Sequence, residues 1–201
     1  MESPLRRGSR GTSLSELLAG VALMALSALI ATPAISSLAR QMTLQAAARE
    51  VAQVFMMARS HAAQQRRDTG VRWVAVAGDI EFTVYEDRNG NGVLTADIRS
   101  GIDRPILGPL AMKKRHTRVS FSYVPGFHGP DPSGVPVVTT QPIRFGRSSI
   151  CTFSPIGDAS PGTVYLSDET GRQSCVRVSP GSGRIQILDW DGGARKWQRR
   201  L

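Results

Sequence analysis

The stretch RRGSRGTSLSELLAGVALMALSALIATPAISSLAR, residues 6–40, decides the layout of the chain. Residues 17–39 carry no charged side chain, and these 23 residues are enough for a helix to cross a hydrocarbon core of about 30 Å. Arg6, Arg7 and Arg10 precede the run, and a basic flank of this kind tends to stay in the cytoplasm. The stretch therefore predicts a membrane-spanning helix with a cytoplasmic N-terminus. The rest of the chain would then lie on the other side of the membrane.

A secretory signal peptide has a similar outline, with a basic start and an apolar core of about 7 to 15 residues. Here the apolar run is longer, and it continues into a helical pattern instead of a cleavage site. Glu16 stands at the front of the run, where a carboxylate near the membrane indicates a function or a partner, since an acid at the bilayer centre costs about 2.5 to 3.5 kcal/mol. Both features favour an anchor that is retained.

Beyond the apolar run, the sequence predicts that the same helix continues outward to about Gln65. Pro33 lies inside the helix and predicts a bend or a loosened turn, because proline removes one backbone hydrogen bond. The basic segment and glycine of QQRRDTG, residues 64–70, end it. Apolar residues recur three or four positions apart, as in an amphipathic helix, at Leu44, Ala47, Val51, Val54, Ala58 and Ala62.

Short strand patterns fill the remainder of the chain, and no long helical period returns after residue 66. Residues 71–76 and 80–85 flank Gly78 and Asp79 and predict a β-hairpin. The fold class expected is α+β, a long N-terminal helix followed by an antiparallel β domain. The other predicted strands are 117–123, 142–145, 150–153, 162–167, 173–178 and 184–190.

The residues from Gly11 to Leu18, GTSLSELL, resemble the class III leader junction of type IV pilins and type II secretion pseudopilins. In that family a prepilin peptidase cuts after the glycine and methylates the new N-terminus, and a glutamate stands fifth in the mature chain. Counted from Thr12, Glu16 is fifth and Pro33 falls where the family places a helix-loosening proline. Thr12 itself departs from the phenylalanine that is usual there.

The C-terminal half resembles the GspH/FimT family of minor pseudopilins and minor pilins. The shared pattern is a strand, a Phe-x-Pro-x-Gly turn, a strand that begins with Gly-Thr and a final strand that begins with Gly-Arg. Its residues in this chain are Phe153, Pro155, Gly157, Gly162, Thr163, Gly183 and Arg184. The resemblance implies a leader peptide at 1–11, a transmembrane half-helix at 12–39, an amphipathic half-helix at 40–66 and an extracytoplasmic β domain at 67–201.

The function that the resemblance implies is that of a minor subunit of a type II secretion pseudopilus or a type IV pilus. Its expected partners are prepilin peptidase, other pilins or pseudopilins, and the lipid of the bacterial inner membrane, with the β domain in the periplasm before assembly. Gly11 and Thr12 would be the processing site, and Glu16 would pair with the N-terminal ammonium of a neighbour during assembly.

The segment EDRNGNGVLTAD, residues 86–97, offers two interpretations. Asp87, Asn89, Asn91 and Asp97 supply oxygen ligands in a spacing similar to a calcium loop. However, the last position of that template is Ile98 instead of a glutamate, and Asn-Gly sequences are also typical of turns between strands. No cofactor other than this calcium ion is indicated.

The two cysteines of the chain, Cys151 and Cys175, allow either a disulfide or two buried thiols. If 150–153 and 174–178 are the first and third strands of one meander, the strand between them separates the two by about 9 to 10 Å, whereas a bridge needs Cα atoms within about 7 Å. Both alternatives remain open at this point.

The net charge of +9 is high for 201 residues and raises the question of an anionic partner. A basic tail could grip phosphates while an indole stacks on a base, and its residues are Arg195, Lys196, Trp197, Arg199 and Arg200. Some FimT-like minor pilins are DNA receptors, so the resemblance gives an alternative function, a membrane-tethered DNA-binding minor pilin in DNA uptake. A solvated basic tail is the competing interpretation.

Enzymatic activity is not indicated by the sequence. His61, His116 and His128 are isolated, and the chain contains no HExxH, GxSxG or phosphate-binding glycine loop. The sequence therefore predicts a structural subunit and not an enzyme.

Overall fold

A computed structural model of the chain describes residues 13–137, 139–168 and 170–199. The described chain divides into two compact units, one ending at Ala39 and the other beginning at Arg40. Helix α1 spans Leu14–Gln65, so the predicted end of the long helix at Gln65 is confirmed. Among the described residues, no helix combines the length and the apolarity that crossing a membrane requires.

Among the described residues, two antiparallel sheets and two short helices follow α1. The elements are β1 Thr69–Val76, β2 Asp79–Glu86, α2 Thr95–Ser100, β3 Arg104–Ala111, α3 Met112–Arg115, β4 Val119–Ser120, β5 Ile143–Arg144, β6 Ile150–Phe153, β7 Gly162–Asp168, β8 Gln173–Val178, β9 Ile185–Asp191 and β10 Lys196–Arg199. The first sheet has the strand order β3-β2-β1-β6, and the second has the order β10-β9-β8-β7-β4, with β5 also paired to β7. The α+β architecture predicted from the sequence is thus confirmed.

The main core lies between the second half of α1 and both sheets. The α1 residues predicted to form an apolar stripe are all buried, and Phe55 joins them with no exposed surface. Its ring centroid lies 5.6 Å from that of Trp73, 5.8 Å from that of Phe145 and 5.9 Å from that of Phe153. Burial of the stripe against the sheets is what stabilises this half of the helix, because intrinsic propensity alone contributes little.

Strand β6 does not lie where the sequence predicted it. It pairs with β1 in the first sheet, with Val71 opposite Cys151, and is not part of a meander with β7 and β8. Gly70 of β1 helps to explain this, because a Cβ there would lie 2.9 Å from Val93 and 3.0 Å from Ile150. The missing side chain leaves the space that Ile150 of β6 occupies.

Strand β3, which forms one edge of the first sheet, is not among the predicted strands. Pro105 and Pro109 argue against a central strand, but an edge strand tolerates proline because its outer backbone groups need no partner. Gly108 has a φ of +98° and lies where the β2–β3 register shifts. A Cβ there would come 2.8 Å from the carbonyl oxygen of Phe82, so the close approach of the strands requires glycine.

Candidate functional site

The start of α1 is held by a reciprocal pair of hydrogen bonds between Ser13 and Glu16. The backbone N–H of Ser13 donates to Oε2 of Glu16 at 3.0 Å, and the backbone N–H of Glu16 donates to Oγ of Ser13 at 3.3 Å. This is the capping box, Ser-x-x-Glu, which satisfies two backbone donors that a helix start otherwise leaves without a partner. The carboxylate also lies at the positive end of the helix dipole.

Glu16 therefore has a local structural role that the sequence interpretation did not include. The signal was present, because Ser13 and Glu16 stand three residues apart just before an apolar run. Gly11 and Thr12, the predicted processing site, lie outside the described residues. Thr12 would be the first residue of the cleaved chain, and Ser13 would be the second. The Glu16 carboxylate therefore accepts a hydrogen bond from the backbone N–H of the predicted second residue.

The first half of α1 presents apolar side chains outward within its own unit. Leu23 and Met24 expose 65% and 74% of their surface, and similar exposure is found at Leu17, Leu18, Val21, Leu26, Leu29 and Ile35. Such a continuous apolar surface normally marks contact with another protein or with lipid.

Hydroxyl groups in this half of the helix bond to the helix backbone. Ser27 Oγ donates to the carbonyl of Leu23 at 2.8 Å, and Thr32 Oγ1 donates to the carbonyl of Ala28 at 2.7 Å. Ser36 Oγ donates to the carbonyl oxygen of Pro33 at 3.0 Å. Internal pairing of this kind suits an apolar environment, because a polar group there has no water to bond. Pro33 lies within the continuous helix, as the sequence predicted for its position.

The candidate calcium loop connects β2 to α2 and is organised by Asp87. Its Oδ1 accepts the backbone N–H groups of Asn89 and Gly90, at 3.0 and 2.8 Å, and its Oδ2 accepts that of Gly92 at 2.8 Å. These contacts are Asx-type turns, which need no cation to hold the loop. The alternative interpretation as a strand connection accounts for this geometry.

The amide side chains of the same loop point toward Asp97. Nδ2 of Asn89 and Nδ2 of Asn91 donate to Oδ2 of Asp97 at 3.2 and 2.9 Å. In the part of the chain that the structure describes, no group of three histidine, cysteine, aspartate or glutamate side chains is placed to hold a metal ion. Calcium binding at this loop stays a prediction.

Cys151 and Cys175 are free thiols that lie in different sheets and different cores. Cys151, on β6, belongs to the main core beneath α1, and Cys175, on β8, belongs to a second cluster with Tyr123, Phe127 and Tyr165. The geometry thus corrects the expectation of one shared meander and gives the two-thiol alternative of the sequence analysis. Burial raises the pKa of both thiols well above the ordinary value.

We expect both thiols to be unreactive in the folded chain. Because the thiolate is the nucleophile and burial disfavours it, alkylation by iodoacetamide at neutral pH should be at least about tenfold slower before unfolding than after it. Mass spectrometry counts the adducts. Unfolding without a reductant should add two labels, one per cysteine, whereas no label under those conditions would show a disulfide.

Trp197 of the basic tail is part of the fold. Its Nε1–H donates to the carbonyl oxygen of Pro130 at 2.8 Å, and its ring centroid lies 5.3 Å from that of Trp190 and 5.8 Å from that of Tyr165. The indole therefore has a packing role instead of the base-stacking role considered from the sequence.

The basic residues of the C-terminal segment are distributed over the β9–β10 hairpin, in its turn and on β10. Arg195 lies in the turn with a φ of 48°, Lys196 and Arg199 are exposed on β10, and Arg200 lies outside the described residues. Arg195, Lys196 and Arg199 are thus exposed to solvent, as the competing interpretation expected, but they belong to a β-hairpin instead of an irregular tail.

Two of the three histidines link α1 to the rest of its unit. Nε2 of His61 lies 2.7 Å from Oε2 of Glu86, and Nε2 of His116 lies 2.8 Å from Oε2 of Glu50. His128 is exposed on a loop that borders a cleft of about 810 Å³. The prediction of a non-enzymatic chain stays a prediction.

Comparison of the chain with protein-family models, with curated proteins and with solved structures finds no match.

Proposed function

We propose that the chain is a minor subunit of a pilin-like filament, either a type II secretion pseudopilus or a type IV pilus. Prepilin peptidase removes residues 1–11 and methylates the new N-terminus at Thr12. Residues 17–39 hold the subunit in the bacterial inner membrane with the β domain in the periplasm, until assembly with other pilins or pseudopilins withdraws it. The sequence resemblance around Gly11 and Glu16 is the origin of this proposal.

The observation that carries the proposal is the hydrogen bond between Glu16 and the backbone of Ser13. Cleavage after Gly11 would create an ammonium group on Thr12, one residue before that nitrogen. The capping box thus holds the carboxylate at the backbone nitrogen of Ser13, the residue that follows Thr12 in the sequence. In an apolar environment the two charges attract strongly, and the carboxylate of one subunit can satisfy the ammonium of its own chain or of a neighbour.

Two features of the first half of α1 support a lipid-facing location. Its exposed apolar side chains need a cover, and its hydroxyls bond to the helix's own carbonyl groups. A filament of packed helices would provide a similar apolar surrounding after assembly.

Processing is the direct test of this proposal. Co-expressed with a prepilin peptidase, the chain extracted from membranes should lose residues 1–11 and gain one methyl group, which intact-mass spectrometry measures. Gly11→Val should abolish cleavage because the peptidase reads the glycine before the cut. Gly8→Val is the matched control, a glycine in the same leader that should not affect cleavage.

The contradicting outcome is equally direct. If the wild-type chain keeps Met1 while a known prepilin in the same cells is processed, the proposed function is wrong. Equal processing of the Gly11→Val variant and the wild-type chain would mean that Gly11 is not the residue before the cleavage site.

A further inference from the structure

An apolar groove with an arginine rim runs along α1 in the unit that begins at Arg40. Two adjoining cavities of about 260 and 490 Å³ form it, and both are lined by Met56 of α1 and Ile185 of β9. Ala52, Ala63 and Ile187 complete the apolar floor. Met56 is 53% exposed although Ala52 and Phe55 on the same helix are buried, so this floor is open to a partner.

Four arginines surround this groove, and among the residues that the structure describes no carboxylate lines it. Arg49 and Arg59 come from α1, Arg184 directly precedes β9 and Arg199 ends β10. In the described part of the chain none of the four forms an ion pair, whereas Arg88, Arg115 and Arg144 each do. Arg59 donates only to a backbone carbonyl, that of Gly183, at 3.3 Å.

Four like charges along one groove, two at each of its cavities, produce a positive potential that an anionic occupant would relieve. Arginine is well suited to such an occupant, because its planar guanidinium can donate two parallel hydrogen bonds to one carboxylate. The apolar floor adds a second requirement. A nucleic acid backbone supplies the negative charge but no apolar side chains to cover Met56 and Ile185, whereas a polypeptide can supply both.

We propose that this groove binds a polypeptide segment in which acidic and apolar residues are interspersed, contributed by a partner protein. Carboxylates of the segment pair with the arginine rim while its apolar side chains cover the floor between α1 and β9. The proposal does not depend on the function proposed above, because every residue of the groove lies outside the leader and the first half of α1.

Binding of a defined peptide tests this proposal. The full-length chain, in a nonionic detergent, is titrated into a short fluorescent peptide of alternating glutamate and leucine at low salt, and fluorescence anisotropy reports the dissociation constant. The double variant Arg184→Gln, Arg199→Gln should bind about tenfold more weakly, because each exposed charged pair contributes up to about fivefold. Met56→Ser should also weaken binding by removing part of the floor.

The double variant Arg104→Gln, Arg118→Gln is the matched control. Arg104 and Arg118 are exposed and do not line the groove, so their loss lowers the net charge by the same two units and should change affinity less than about twofold. Peptides with glutamine in place of glutamate, or serine in place of leucine, should each lose most of the binding.

Three results would overturn the proposal. The first is equal binding by the wild-type chain and the arginine double variant. The second is full binding of the glutamate-serine peptide, which would mean that charge alone is recognised. The third is arginine-dependent binding of duplex DNA or of anionic vesicles in place of the peptide, which would assign the groove to a nucleic acid or to a lipid surface.

Discussion

Glu16→Gln is expected to abolish assembly of the chain with neighbouring subunits while leaving the start of α1 intact. Glutamine at this position can still accept the backbone N–H of Ser13, since the capping box takes glutamate or glutamine. What the variant loses is the negative charge. Removing one partner of an ion pair in an apolar surrounding costs about 3 to 5 kcal/mol, which lowers assembly more than about 100-fold.

Glu16→Ala separates the two roles of this side chain. Alanine removes both the charge and the helix cap, and the cap alone contributes about 0.5 to 2 kcal/mol. If the proposed function is right, glutamine and alanine should fail in assembly almost equally. If Glu16 serves only as a cap, the glutamine variant should assemble like the wild-type chain and only the alanine variant should be impaired.

The measurement is the amount of the chain that cross-links to other pilin-like subunits, normalised to the amount in the membrane. Leader removal is quantified for every variant, so that a failure of assembly is distinguished from a failure of processing. Glu81→Gln is the matched control, since it removes a carboxylate from β2, which belongs to the other unit, and should assemble normally.

The regular parts of the fold could be predicted because their signal is local. The three- and four-residue spacing of apolar side chains locates the buried face of α1, and the alternation around Gly78 and Asp79 locates the β1–β2 hairpin. In both cases the residues that share a face or a turn are close together in the sequence, so the sequence pattern alone predicts the element.

The sheet assignment of β6 could not be predicted because its partner is about eighty residues earlier in the chain. The sequence around Cys151 contains no pattern that indicates the space which Gly70 leaves for Ile150. The expectation of one meander followed from the tendency of consecutive strands to pair, and a long-range contact overrode it.

Among the candidate sites, too, those formed by residues close in sequence could be predicted and those formed by distant residues could not. The capping box of Ser13 and Glu16 is visible in four consecutive residues and could have been predicted. The arginine groove could not, because Arg49 lies on α1, Arg184 just before β9 and Arg199 on β10, and only the packing of α1 on the second sheet brings them together. Likewise, the packing of Trp197 depends on distant aromatic residues.

Phe55→Ala is expected to produce the largest loss of folding stability among single substitutions in α1. The side chain has no exposed surface, and its ring contacts three other aromatic rings, contributed by β1, by β6 and by Phe145 next to β5. Truncating a buried phenylalanine costs about 3 to 5 kcal/mol through lost burial and the cavity left behind. That is a large part of the free energy of unfolding of an ordinary domain, about 5 to 15 kcal/mol.

Met56→Ala is the matched control, because it places the same residue at the adjacent position of the same helix. Any gain in helix propensity is therefore similar, but Met56 is 53% exposed and should lose about 1 kcal/mol or less. Thermal unfolding of the full-length chain measures the difference, with a midpoint lowered by about 6 to 20 °C for Phe55→Ala and by no more than about 4 °C for Met56→Ala. Equal shifts would mean that α1 does not pack on the sheets through Phe55, since only a buried side chain should distinguish the two positions.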